Sequence, residues 1–300
     1  MDRAGNLKIK GEILFNEPMS QHTSFRIGGP ADMLVFPLDE DDITDILFYA
    51  KESQIQWCVL GRGTNVLVKD NGIRGIVIKT DKVLNKIASH DNLLKTSAGI
   101  LLPKLVRLTQ ELGLRGLEFA VGIPGNIGGA IAMNAGVKDK CIGDFVTSVW
   151  GITEDGERKE WEKEELDFGY RHSLFNSIKY IITGAGFLLE KDSPQNIKDR
   201  IDEYIKKRKE TQPLEYPSAG SIFKNPGDGK FAAQLIDMAG CKGLQIGSAK
   251  VSEKHAGFII NTDPLKAKAS DVLSLIEEIQ NRVDRKFRIK LEPEIKIIGE

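Results

Sequence analysis

Apolar positions at 31–36 come without a helical period and predict a strand, after which Ile43, Ile46, Leu47 and Ala50 recur at helical spacing across 40–53. A second strand is expected over 56–60. It is stopped by the turn Gly61-Arg62-Gly63-Thr64-Asn65, and β pattern resumes at Val66–Val68 and 75–79. The same grammar repeats once: a strand over 93–98, a helix over 102–112, a glycine-rich stretch, then strands at Val146–Thr153 and 180–190 with Glu154-Asp155-Gly156-Glu157 as a hairpin turn. Beyond Glu190 the pattern changes. Pro194 opens a charged helix to about Lys209 with a narrow stripe of Ile197, Ile201 and Ile205, which reads as an interdomain connection. A loop over 213–226, a helix over 231–239, a strand over 256–261, a long helix over 269–285 and a terminal strand over 294–298 complete the chain. No repeat of fixed period is present.

Residues 119–137 form the longest stretch without charge, nineteen residues, which by length alone would suit a membrane span. Five glycines, Pro124 and two asparagines lie within it. Each glycine costs a helix interior about 1 kcal/mol and a proline about 3 kcal/mol relative to alanine, so the stretch is poor helix. The polar segment 1–12 has no apolar core of the kind a secretory signal needs. At 300 residues the chain is long enough for about two domains. Its 42 basic residues nearly cancel 43 acidic ones, leaving no field to attract nucleic acid or an anionic membrane. Cys58, Cys141 and Cys241 are odd in number and far apart, which argues against a disulfide framework and for a reducing cytoplasm.

Two glycine clusters carry the first chemical signal. In the 61–65 turn, glycines let successive backbone N–H groups converge on an anion, although the turn does not open a helix as a dinucleotide fingerprint would. It reads equally as a plain tight turn. The second cluster, Gly122-Ile123-Pro124-Gly125-Asn126-Ile127-Gly128-Gly129-Ala130 followed by Met133-Asn134-Ala135-Gly136, permits close approach of backbone to a flat or phosphorylated ligand. Packing between subdomains is its alternative. Two such clusters, each after a β-α unit, favour a dinucleotide held between the halves. Ser221, within Gly220-Ser221-Ile222-Phe223-Lys224-Asn225-Pro226, lacks a G-x-S-x-G setting and a nearby histidine, so it is no hydrolase nucleophile. His22, His90, His172 and His255 show no ligand spacing, and no metal site is expected. The run Lys206-Lys207-Arg208-Lys209 is interleaved with acids and reads as the end of a solvated helix.

Taken in order, these motifs resemble one family, the UDP-N-acetylenolpyruvoylglucosamine reductases. The carriers are Thr23-Ser24-Phe25-Arg26-Ile27-Gly28-Gly29-Pro30-Ala31, the 61–65 turn, the 122–136 block, Tyr170-Arg171-x-Ser173, Pro217-Ser218-Ala219-Gly220-Ser221-x-Phe223-Lys224-Asn225-Pro226, and Glu292-Pro293-Glu294-Ile295. No one of them is diagnostic, but the ordered set covers nearly the whole chain. The length and the short spacing before Ser221 are similar to the compact, type II branch; Thr64 stands where many relatives have serine and keeps the hydroxyl.

The resemblance implies an α+β fold. A two-subdomain FAD-binding module of the vanillyl-alcohol-oxidase (PCMH) type would occupy 1–75 and 76–192, a smaller α+β substrate-binding domain 193–290, and a terminal strand, 291–300, would return to the active site. It implies non-covalent FAD, with no histidine in the first glycine turn to bind it covalently, held by Gly61, Arg62, Gly63, Thr64, Asn65, Gly122, Ile123, Pro124, Gly125, Gly128, Gly129, Ala130 and Asn134. It implies hydride transfer from NADPH to FAD and on to the enolpyruvyl β-carbon of a UDP-sugar, in the cytoplasm, as a step of peptidoglycan precursor synthesis, with no obligate protein partner. By the family's pattern Ser221 donates the proton while Arg171 and Glu294 flank the substrate carboxylate, and Tyr170, Lys224 and Asn225 bind substrate. Lys224 and Asn225 could instead assist Ser221 as a charge or relay. The alternatives are another FAD oxidoreductase of this fold with a different acceptor, or a non-catalytic nucleotide-binding regulator; the presence of Ser221, Arg171 and Glu294 together speaks against the latter.

Overall fold

A computed structural model describes residues 7–80 and 85–300; residues 1–6, part of the polar N-terminal stretch, and 81–84 lie outside the described residues. The chain divides into two compact units. The first takes 1–14, 33–62 and 75–207, and the second takes 15–32, 63–74 and 208–300.

The first unit holds two apolar cores. A four-stranded sheet runs in the order Glu12–Pro18, Pro30–Phe36, Ile73–Lys79, Trp57–Leu60, the last two parallel. Helix α1 (Glu40–Glu52) starts at Asp39, whose carboxylate accepts the Asp42 N–H at 3.0 Å. It buries Ile43, Ile46, Leu47 and Ala50 in one cluster with Met33, Val35, Ile76 and Ile78, each large side chain contributing about 1.5–3 kcal/mol by leaving water. The second core lies on an antiparallel sheet ordered Arg158–Glu162, Val146–Thr153, Tyr180–Leu188, Leu93–Ser97, Ile87–His90. Its central strand, Tyr180–Leu188, is buried from Ile181 through Phe187. Ile181 belongs to the first core and Ile182, Ala185 and Phe187 to the second, so this one strand faces both. Helix α2 (Leu102–Glu111) and the short helix α3 (Ile127–Ala132) bring Leu102, Leu105, Val106, Ile127, Ala130 and Ile131 into that second core.

Several elements differ from the sequence expectation. The strand Glu12–Pro18, with no fully buried residue and with Asn16 at φ +51, has no clean alternation to announce it. Within the stretch 119–137 the chain does make helical structure, the end of a 3₁₀ turn (Glu118–Gly122) and the α-helix α3, the latter because Asn126 caps it and two buried isoleucines outweigh its glycines. Helix α4 (Pro194–Thr211), read as an interdomain connection, buries Ile197 and Ile201 in the second core, and the first compact unit runs to Lys207.

Arg200 of α4 bonds Glu118, which is nearly inaccessible, at 2.8 Å and Asp192 at 2.7 Å. The Asn196 amide, then Arg200 and the Ser193 N–H, hold the Asp192 carboxyl at about 2. A carboxyl with a depressed folded pKa stabilises the fold fully above its ordinary value, near 3.8, and that contribution disappears as the pH falls toward 2. Thermal unfolding followed from pH 5 down to pH 2 should therefore show a shallower loss of Tm in Asp192→Asn than in the wild type, and equal slopes would remove Asp192 from the acid response.

The second unit is an α+β layer built on a sheet ordered Ser218–Ser221, Phe258–Asn261, Ala249–Val251, Gln245–Ile246. Helices α5 (Ala232–Met238) and α6 (Ala269–Phe287) cover it, with Val272, Leu275, Ile276, Ile279 and Val283 on the buried face of α6. Phe25, Ile27 and Leu67, from the two earlier stretches, complete this core. Asp70 caps α6 from a distance, accepting the Ala269 and Ser270 N–H groups at 2.6 and 2.9 Å. Among the described residues no helix is long and apolar enough to cross a membrane.

Candidate active site

In the second unit the stretch read as a loop over 213–226 contains the strand Ser218–Ser221. Its residues have little β propensity. It forms because Phe258–Asn261 offers a ladder and because the Ser24 hydroxyl donates to the Ser218 carbonyl at 2.7 Å. Ser218 sits opposite Ile260 and Ser221 opposite Phe258, one residue more than a regular register allows. Gly220, at φ +78, absorbs that bulge, and a bulge of this kind re-aims the side chain that follows it, here Ser221. Apart from its two chain neighbours, no described residue comes within 4 Å of where a Cβ at 220 would stand. Glycine is required there by its backbone angle, not by crowding.

From Ser221 the chain runs beside the C-terminal segment. The Glu294 N–H donates to the Ile222 carbonyl at 2.7 Å, the Lys224 N–H donates to the Glu292 carbonyl at 2.9 Å, and Phe223 bridges Pro293. This short ladder sets Glu294 one residue from the serine in register. The Asn65 amide donates to the Glu294 carbonyl at 3.2 Å, and the Lys296 N–H to the Asn65 carbonyl at 2.9 Å, before Lys296–Ile298 continues parallel to Val66–Val68. The strand expected over 294–298 thus begins at Lys296. Ser24 links the same parts, its N–H donating to the Gly63 carbonyl at 3.0 Å. Ser221, Glu294, Gly63 and Asn65 are gathered by main-chain hydrogen bonds together with the side chains of Asn65 and Ser24. Lys224 pairs its ammonium with Glu292 at 2.6 Å, and the Asn225 side-chain carbonyl accepts the Ala232 N–H at 3.0 Å, securing the start of α5.

In the first unit Arg171 occupies a four-residue turn closed by reciprocal hydrogen bonds between Gly169 and His172, 3.1 and 3.2 Å long. Its φ is +55, a left-handed conformation costing a non-glycine residue about 1–2 kcal/mol, and such strain gathers at functional positions. The guanidinium lies over the exposed Tyr170 ring at 5.1 Å and donates to the Gly136 carbonyl at 3.2 Å. Two side chains fasten the turn to the glycine block. Asn134, nearly inaccessible, donates to the Gly169 carbonyl at 2.8 Å and accepts the Gly143 N–H at 3.0 Å, while the buried Ser173 hydroxyl donates to the Ala132 carbonyl at 2.9 Å. Both ends of the Asn134 amide are thereby engaged within the protein.

The glycine block packs closely on 98–102: the Gly128 and Ile127 N–H groups donate to the Ala98 and Ile100 carbonyls at 2.9 and 3.0 Å. Close packing accounts for part of the glycine content. It does not account for Asn126, which the sequence pattern did not single out. Asn126 is 2% exposed, and its Nδ2 has no hydrogen-bond partner among the described residues. A Cβ at Gly61 would stand 2.4 Å from its Oδ1 and 2.7 Å from its Nδ2, so glycine at 61 leaves room for this amide. A buried donor without an acceptor, beside two glycine-rich loops, fits a polar cofactor that supplies the acceptor. An Asx residue just before a short helix was the signal available in sequence.

The described residues hold no group of three metal-ligating side chains, and burial pushes the Cys58 thiol up to about 11, away from thiolate chemistry.

Residues 31–161 match the family model of an FAD binding domain, and residues 212–298 match that of the UDP-N-acetylenolpyruvoylglucosamine reductase C-terminal domain. Fold and matches together define an FAD-dependent oxidoreductase: an FAD-binding module of the vanillyl-alcohol-oxidase type followed by a smaller α+β domain. The chain is 45% identical over 295 residues to the UDP-N-acetylenolpyruvoylglucosamine reductase of Clostridium perfringens (strain SM101 / Type A), covering 98% of this chain and 96% of that one. It is 43% identical over 300 residues to the reductase of Caldanaerobacter subterraneus subsp. tengcongensis, covering 100% and 98%. The crystal structure of the Thermus caldophilus reductase superposes with a TM-score of 0.80 at 33% identity, covering 97% of this chain and all of that one. The chain belongs to the UDP-N-acetylenolpyruvoylglucosamine reductase family.

Proposed function

We propose that this protein reduces the enolpyruvyl ether of UDP-N-acetylglucosamine to UDP-N-acetylmuramate with NADPH, in the cytoplasm, as a step of peptidoglycan precursor synthesis. The observation that carries the reading is the ladder that sets Glu294 beside Ser221 and Asn65, three residues far apart in sequence and all part of the family pattern. The loops 61–65 and 122–130, with the unpartnered Asn126 amide, are the residues that would hold FAD. FAD, when bound, supplies the hydride chemistry.

The chain's own groups handle charge and protons on the substrate. Hydride arrival at the enolpyruvyl β-carbon leaves the electron pair on the α-carbon, delocalised into the adjacent carboxylate. Arg171 offers a planar fork to that carboxylate from a turn already held in shape by Asn134 and Ser173. Preorganisation of this sort contributes about 3–4 kcal/mol at comparable oxyanion sites. Ser221, aimed by the Gly220 bulge, delivers the proton to the α-carbon as general acid. Glu294, when protonated, donates a further hydrogen bond to the same carboxylate. Lys224 and Tyr170 bind substrate, and Lys224 exchanges its Glu292 partner for a substrate anion in doing so. Asn225 shapes the same loop through its bond to Ala232. The segments 1–75 and 76–192 act as the two cofactor subdomains and 193–290 as the substrate domain, functional segments whose bounds differ from those of the two compact units.

Purified protein should be yellow, with flavin released on denaturation, and should convert the enolpyruvyl UDP-sugar with NADPH consumed in equal amount, as read by product chromatography. If NADPH reduces the flavin and this UDP-sugar never reoxidises it, the acceptor is a different molecule.

A further inference from the structure

We infer that Asn126 is a binding residue for the cofactor, its side-chain Nδ2 donating a hydrogen bond to an oxygen acceptor of the bound FAD; this rests on the reading above that the chain holds FAD. The amide is oriented by the protein itself. Its Oδ1 accepts the Gly129 N–H at 3.3 Å, the cap of α3, and turning the amide over would face one donor with another. The NH2 group is thereby committed to point away from α3. There it has no acceptor among the described residues, although the residue is 2% exposed. A buried donor left unmade is costly, and native proteins leave few of them.

The surroundings keep this donor available. Gly61 has no side chain, and any Cβ there would collide with both ends of the amide. The Gly61 carbonyl receives the Lys79 ammonium at 2.8 Å. Asn134, the other buried amide of the glycine block, has both of its ends engaged, so the block offers a single open amide donor among its described residues. FAD carries oxygen acceptors on its pyrophosphate and on its isoalloxazine ring, and either class satisfies an amide NH2.

The test compares wild type with Asn126→Asp and Asn126→Ser. Both retain an oxygen to cap Gly129, and both remove the NH2 group. Apoprotein is titrated with FAD by flavin fluorescence, and the FAD-induced rise in Tm, the absorption maximum and the midpoint potential of the holoprotein are recorded. FAD binding is expected to weaken about 10-fold in Asn126→Ser and about 100-fold in Asn126→Asp, where a carboxylate faces the acceptor. The FAD-induced rise in Tm should shrink in the same order. A weaker Kd with spectrum and potential unchanged puts the acceptor on the pyrophosphate; a shifted spectrum or potential puts it on the isoalloxazine, and both support the assignment. If both variants match wild type in Kd, spectrum, potential and FAD-induced Tm, Asn126 is a helix cap only and the inference fails. If wild-type apoprotein itself takes up no FAD, the proposed function fails instead.

Discussion

Ser221→Ala should leave reduction of the flavin by NADPH near the wild-type rate while slowing its reoxidation by the enolpyruvyl UDP-sugar about 10²–10⁴-fold, the usual worth of a general acid. The substitution removes one hydroxyl. It leaves Gly220, the bulge and the backbone ladder to Glu294 in place, since those bonds run through main-chain atoms. The loss should therefore appear in kcat with little change in KM, the mark of an interaction made in the transition state. Ser221→Cys, which keeps an ionisable proton on the same short arm, should recover part of the rate. Rapid mixing of the reduced enzyme with substrate decides the matter. Reoxidation of Ser221→Ala at the wild-type rate would mean that the proton comes from Glu294 or from water.

The second large effect is expected at Arg171, where stability and activity should move in opposite directions. Its backbone is left-handed, so Arg171→Gly relieves about 1 kcal/mol of strain and should leave Tm unchanged or raised. The same variant loses the guanidinium, and reoxidation by substrate should fall about 10²–10³-fold, by comparison with removal of an oxyanion donor. Arg171→Lys keeps the charge without the planar fork and should lie between the two. Tm and half-reaction kinetics on the same samples check this. A glycine variant that reoxidises within a few-fold of wild type would reduce Arg171 to a turn residue that stacks on Tyr170.

Both experiments address residues whose identity was legible in the sequence and whose arrangement was not. The helices of the cores were readable because burial imposes a period: Ile43, Ile46, Leu47 and Ala50 on α1, and Val272, Leu275, Ile276, Ile279 and Val283 on α6, occupy the buried faces their spacing assigns. The glycine clusters were readable as places of close approach. What touched them was not. Gly61 meets the Asn126 amide across more than sixty residues of chain, and a local pattern carries no sign of such a partner. The Ser218–Ser221 strand was missed for the same reason, its residues being turn formers made into a strand by Phe258–Asn261.

By itself, then, the sequence determined the periodic elements, the residue types able to hold an anion, give up a proton or pair with a carboxylate, and, through the order of its motifs, the family. The tertiary structure alone decided that 15–32 and 63–74 join 208–300 in one unit, that Glu294 lies beside Ser221, that Asn134 is engaged on both sides, and that Asn126 is buried with a donor unmade. The division has a physical cause. Period and propensity act over a few residues and can be read from neighbours along the chain, whereas a hydrogen bond such as Glu294 N–H to Ile222, or a collision such as that awaiting a Cβ at Gly61, exists only once long-range packing has brought distant segments together.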